Sequence, residues 1–269
     1  MSEIRVLNNE YGLAEMQENL LKTLDELDLI CRRHDIKYTI HGGTVLGAER
    51  NHHLIPWDDD VDIAMARNEF EKLKAVILSG DIPDGFYLDE TTMWFPRFVM
   101  KNQDDPVYID ILIWDFISEH RLAQKMKITG LRAIQGMMKE DVDYSRYGLK
   151  GKLLVGITQA MGKLISNRKK LEIFHTIQTK MFLGSKRFIH RSNDSYRGCT
   201  YILDNRYLDE YMDIELEGKL YMVNKRYHEF LVMEYGENYM TPPPEKDRHP
   251  GHELFRKSIE KKQKAGNAQ

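Results

Sequence analysis

The stretch Ile55-Pro56-Trp57-Asp58-Asp59-Asp60-Val61-Asp62-Ile63 decides how this chain is read. It sets four acids in five positions, and the last of them alternate with Val61 and Ile63. Residues 61–65 read as a strand, in which successive side chains point to opposite faces. Asp60 and Asp62 then share one face; alternation puts Asp58 with them and turns Asp59 away. Two carboxylates on one face of a half-buried element repel each other unless a cation lies between them. Mg2+, or Mn2+, suits such an all-oxygen set and completes its shell with water and substrate phosphates. The plainer reading is an acidic turn facing solvent, the usual fate of an isolated acidic run.

Working outward, residues 37–41 form a short strand that runs into Gly42-Gly43 and then a short helix through Leu46 and Ala48. Glycines there let backbone N–H groups approach a phosphate, and the helix N-terminus adds favourable polarity. Alone, a Gly-Gly pair is only a turn. Downstream, Tyr108-Ile109-Asp110-Ile111 places an acid inside an apolar strand. A buried carboxylate needs a partner, which is either a metal or a salt bridge.

The remaining pattern is mixed. Leu13, Met16, Leu20, Leu24, Leu27 and Cys31 recur at helical steps, with Asn8 or Asn9 as cap. A helix is expected from near Asn68, with Glu71 as capping partner. Strands are expected over 86–88, 95–100, 107–114, 200–203 and 219–223. A mainly helical region spans 118–182, interrupted near 144–151, and a last helix covers 225–235. The order predicts an α/β (α+β) fold: a small mixed sheet flanked by helices, plus a helical basic insert. The expected division is a catalytic core over 1–118, a basic helical lobe over 119–195, and a mixed segment over 196–269 that packs back on the core.

Hydrophobic residues at 42% and charged residues at 30% describe an ordinary globular chain, and a net charge of −3 gives no reason to expect nucleic acid. Cys31 and Cys199 form no CxxC pair and read as apolar core residues. The N-terminus lacks the apolar run of a signal peptide, and no stretch of ~18 apolar residues is present. A cytoplasmic location is therefore expected. Charge is unevenly spread: residues 146–191 hold eleven Lys or Arg and one acid, Glu172. Leu153, Leu154, Ile157, Met161, Leu164 and Ile165 are interleaved with those cations. Such a stripe is either a helix packed on the core with a solvated outer side, or a surface for an anionic membrane.

Taken together, strand, Gly-Gly, helix, Asp-x-Asp on the next strand and a third acid on a later one resemble the nucleotidyltransferase superfamily. His41-Gly42-Gly43-Thr44-Val45-Leu46-Gly47-Ala48, residues 55–63 and Arg67 are similar to the signature of the LicD family, which includes the fukutin-related enzymes. Tyr235-Gly236, Pro242-Pro243-Pro244 and Arg248-His249 resemble its closing pattern. Glu49 departs from it, standing where such proteins often have an apolar residue.

The resemblance implies a nucleotidyltransferase-like core that passes a phospho-alcohol from CDP-choline, or another CDP-alcohol such as CDP-ribitol, to a sugar hydroxyl. The acceptor would be a lipid-linked cell-surface glycan or teichoic acid precursor, met by an enzyme lying peripherally at the inner face of the membrane. It implies Asp60, Asp62 and Asp110 as catalytic metal ligands and Asp58 as a further ligand. Gly42, Gly43, Thr44, Arg50, Arg67 and Arg97 are the donor-binding candidates, since guanidinium forks match phosphate oxygens. His249 is a candidate for proton transfer. Trp57 and Trp94, with Tyr87 and Trp114, are candidates for holding a quaternary ammonium. Two other readings use the same residues: a true nucleotidyltransferase attacking an α-phosphate, and a non-catalytic nucleotide-binding regulator.

Overall fold

The computed structural model describes residues 7–101, 106–139 and 148–251. The core is organised around β5 (Val107–Ile117), an eleven-residue strand whose near-continuous apolar run fits a strand covered on both faces. On one edge it pairs in parallel with β2 (Asp62–Ala66), which in turn pairs antiparallel with β1 (Thr39–His41). On the other edge its first half pairs with β4 (Arg97–Met100), which pairs with β3 (Phe86–Asp89). Its second half pairs with β6 (Phe188–Arg191), which carries β7 (Ile202–Asp204). The result is one seven-stranded mixed sheet in an α/β fold. A separate hairpin, β8 (Tyr211–Leu216) with β9 (Lys219–Asn224), turns through Glu217 and Gly218, both at positive φ.

Three helices belong to the first half: α1 (Ala14–Arg33), α2 (Gly42–Asn51) and α3 (Arg67–Ser79). α1 buries Leu20, Leu24, Leu27 and Cys31 against the sheet. Its entry carries no side-chain cap at Leu13, but Asn9 Oδ1 accepts from Ala14 N–H at 3.2 Å. The capping box expected at Asn68 is not formed. β2 runs straight into α3 at Ala66, so Asn68 already lies inside the helix, where it donates to Glu69, and Glu71 pairs with Arg67 instead. Both cysteines are free and buried.

Helices α4 (Arg121–Met138), α5 (Leu149–Gly162) and α6 (Asn167–Lys180) follow, and α7 (Tyr227–Tyr235) comes after the hairpin. Of the interruption expected over 144–151, residues 144–147 lie outside the described residues, and α5 already begins at Leu149. The basic stretch is not one solvated face. Lys170 is buried with Nζ donating to Met137 O and Asn167 Oδ1, and Arg191 is only 3% exposed. Nor does the apolar stripe of α5 pack on the core. Val155, Thr158 and Gly162 are the residues it buries, and a Cβ at Gly162 would stand 2.2 Å from Met137 O. Close approach to α4 needs small residues on that side, so the large ones face outward. β6 and β8 were not expected from the sequence.

Candidate active site

The sheet register builds the site. His41 is the Cα partner of Asp62, Asp62 of Asp110, and Asp110 of Arg97, so four side chains form one row across β1, β2, β5 and β4. The loop before β2 continues the alternation. Asp58, Asp60 and Asp62 all line a cleft of about 500 Å3, whereas Asp59 and Val61 are buried away from it. Asp59 thus faces away as alternation requires, but into the protein.

Several bonds fix this loop. Gln17, buried on α1, donates from Nε2 to Ile55 O at 3.1 Å and to Asp58 O at 2.9 Å. Thr44 Oγ1 accepts from Asp62 N–H at 3.0 Å, so its hydroxyl pins the start of β2 and does not line the cleft. Leu54 N–H donates to Glu217 Oε1 at 2.9 Å from the hairpin turn.

The N-terminal turn of α2 forms the floor. Gly42 sits at φ +58, and Gly43 lies so close to Asp58 that an added Cβ would be 2.1 Å from its Oδ2. The glycines therefore let the helix end come up against the carboxylates. Asp62 is held well above the ordinary carboxylate pKa, first by burial and then by the charges of Asp60, Asp110, Asp58 and Asp194. Such crowding of oxygen ligands fits a hard cation, which would reverse the repulsion. Among the described residues no three such side chains converge closely enough to enclose an ion unaided, so water or phosphate oxygens would complete its shell.

The opposite wall comes from residues that the sequence reading did not single out. Arg191, at the end of β6, donates Nη2 to Glu234 Oε2 at 2.6 Å and Nη1 to His41 Nε2 at 2.6 Å, and its Nε lies 2.9 Å from Asp194 Oδ2. Burial, then Arg191, holds His41 well below its ordinary pKa, so it is neutral and its Nε2 accepts. Asn193 sets this end of the chain: its side chain accepts from Ile113 N–H and donates to Ile111 O, extending the β5 pairing beyond β6. Asp194 is thereby delivered to the cleft. Its one sequence signal is Gly198, where any Cβ would meet the Asp194 carboxylate.

The last residue of α7, Tyr235, and the closing loop after it, with Asn238, Tyr239, Thr241 and Pro243, complete the lining. Arg50 holds the loop, with Nε donating to Tyr239 O at 2.8 Å and Nη2 to Tyr239 O and Thr241 O. Glu49 accepts from Tyr227 OH at 2.5 Å and ties α2 to α7, which accounts for an acid at this position. Arg248 donates to Pro243 O and lies 5.3 Å from the ring of Trp57, itself edge-on to Tyr11.

Other expected contacts lie elsewhere. Arg67 does not line the cleft; its guanidinium is bidentate to Asp115 at 2.9 and 2.7 Å. Arg97 donates to Asp110 Oδ1 at 2.9 Å and stacks 3.9 Å from the Tyr108 ring centre. Trp94 packs against the Leu131, Ile134, Phe174 and Ile177 cluster beneath the helical lobe. Trp114 is core, edge-on to His41. His249 is exposed and outside the lining.

A glycine-floored helix end facing aspartates of the next strand is the arrangement expected of a nucleotidyltransferase domain. The family described as LicD/FKTN/FKRP, nucleotidyltransferase domain, matches residues 35–143. The chain carries a LicD-family domain. Its boundaries take in β1 to α4, including Gly42, Gly43, the four aspartates of the loop and Asp110. Similarity extends past the LicD-family domain. The chain is 25% identical to the lipopolysaccharide cholinephosphotransferase LicD of Haemophilus influenzae, over 89% of this chain and 96% of that one. It is also 25% identical to an uncharacterized protein of Rickettsia prowazekii, over 38% of this chain and 41% of that one.

Proposed function

We propose that this chain transfers a phospho-alcohol, phosphocholine from CDP-choline foremost, to a sugar hydroxyl of a cell-surface glycan or teichoic acid precursor, releasing CMP. One observation carries the reading: Asp58, Asp60 and Asp62 line the same cleft as the Gly42–Gly43 helix end and the rings of Trp57, Tyr235 and Tyr239. The similarity to a cholinephosphotransferase supports the choice of alcohol.

In this reading Asp60 and Asp62 hold Mg2+ or Mn2+, with Asp58 a further ligand and Asp110 the candidate from the neighbouring strand. Bound there, the ion would supply charge neutralisation at the pyrophosphate oxygens. The residues of the chain do the rest. Backbone N–H groups at Gly42 and Gly43 orient the pyrophosphate. Aromatic faces and carboxylates hold a quaternary ammonium, which has no hydrogen to donate, and Trp57, Tyr235 and Tyr239 bring such faces beside Asp58 and Glu234. The sugar oxygen forms a bond to the choline-bearing phosphorus, the bond to CMP breaks, and CMP leaves with its electron pair. The hydroxyl proton passes to a carboxylate of the cleft.

Product analysis tests this. The protein is incubated with CDP-choline and CDP-ribitol, a glycan acceptor, and Mg2+, Mn2+ or EDTA. Free CMP and a phosphocholine-bearing acceptor are expected, only with the ion present. A nucleotidylated product with release of pyrophosphate would instead identify a nucleotidyltransferase.

A further inference from the structure

Helix α5 is amphipathic the wrong way round for a helix of a folded core. Leu149, Leu153, Leu154, Ile157, Met161 and the following Leu164 are 47% to 88% exposed. At about 100° per residue, the five within the helix fall in an arc of roughly 140°. The opposite side, Val155, Thr158 and Gly162, is the buried one, seated on α4. Lys152 borders the arc and Lys163 follows the last turn, both exposed. In the next turn and helix stand Arg168 and Lys169, 90% and 63% exposed at their side chains.

A cluster of exposed large apolar side chains along one helix marks a binding surface. Its border chooses the occupant. The exposed cations beside it are Lys152, Lys163, Arg168 and Lys169, with Glu172 the one acid among them, so an isologous contact with a second copy would set basic border against basic border. An anionic bilayer takes both features at once: acyl chains receive the leucines, and lipid phosphates receive the flanking lysines and arginines. The geometry points to α5 as an interfacial helix that lies in the surface of an anionic membrane. No helix among the described residues is long and apolar enough to cross one. This placement is independent of the transferase reading, since it uses no residue of the cleft.

The full chain is sedimented at low salt with vesicles of phosphatidylcholine, with and without about one-third phosphatidylglycerol. Binding is expected with the anionic vesicles, weaker at high salt. Replacing Leu153, Leu154 and Ile157 by Ser should reduce bound protein about tenfold, with an unchanged circular dichroism spectrum. The separate Lys152→Glu, Lys163→Glu variant, at two exposed positions, should lose the preference for anionic lipid. The inference is overturned if the wild type fails to sediment with anionic vesicles, or if the serine variant binds as well as the wild type. It is equally overturned if the wild type self-associates through this face and ignores the vesicles.

Discussion

Asp62 and Asp110 are Cα partners on the parallel strands β2 and β5, so their carboxylates emerge side by side from one face of the sheet. Arg97 stands next to Asp110 in the same row and Asp89 beyond it, while His41 stands on the other side of Asp62. Arg97 donates to Asp110, and the row leaves Asp62 beside a neutral histidine. Asp62 is pushed well upward, by burial first and then by Asp60 and Asp110.

Asp62→Asn and Asp60→Asn should each cut turnover by roughly three orders of magnitude in saturating Mg2+, since each removes a ligand and a developing-charge partner. Thermal stability in EDTA should stay level or rise, because a repelling carboxylate is gone. Near-normal turnover in either variant would remove the metal assignment. Asp59→Asn should behave differently, because Asp59 is fully buried: a loss of melting temperature with turnover retained is expected there.

At Gly43 the added Cβ of an alanine would displace the Asp58 carboxylate before it met any substrate. Gly43→Ala should therefore lower kcat/KM by about tenfold or more, through loss of a positioned group. Thermal stability should change little, because a terminal carboxylate can swing aside. In the Asp58→Ala background the same glycine change should have a much smaller effect on kcat/KM. Additive losses in that double-mutant cycle would show that the glycine acts on the donor directly.

Burial would raise the Asp115 pKa, but the bidentate Arg67 guanidinium outweighs it and holds the group below the ordinary range. Arg67→Ala leaves that carboxylate buried without its cation, with the Ser192 hydroxyl still donating to it, which should cost about 3 kcal/mol in urea unfolding. Turnover of the folded fraction should survive at low temperature. A variant of wild-type stability with a raised KM for the CDP-alcohol would restore Arg67 as a phosphate clamp.

His190 is fully buried, with Nδ1 3.0 Å from Cys199 O, and burial lowers its pKa from 6.5 to about 4. The folded protein thus resists protonating it, while the unfolded chain does so near the ordinary value. Its contribution is complete above about pH 6.5 and is lost as pH falls through about 4, amounting to roughly 3 kcal/mol. His190→Asn, which keeps an amide donor for the carbonyl, should flatten the fall in unfolding free energy over that window. An unchanged slope would place the acid sensitivity elsewhere.

The sequence by itself determined the half of the site that is local in the chain. Asp58, Asp60 and Asp62 reach one cleft because alternation with period two holds through the loop and into β2. Gly42-Gly43 leads from β1 into α2 as read, and the long apolar run around Asp110 became the central strand. What only the tertiary structure decided depends on partners far apart in sequence. Arg67 could be assigned to phosphate or to a salt bridge until β5 brought Asp115 to it. Arg191, Asp194 and Glu234 carried no motif. They enter the cleft because Asn193 extends the pairing on β5 and Arg191 bridges to α7. The outward turn of the α5 leucines was likewise hidden. Periodicity states that a stripe exists, and only the close glycine contact with α4 decides which side faces in.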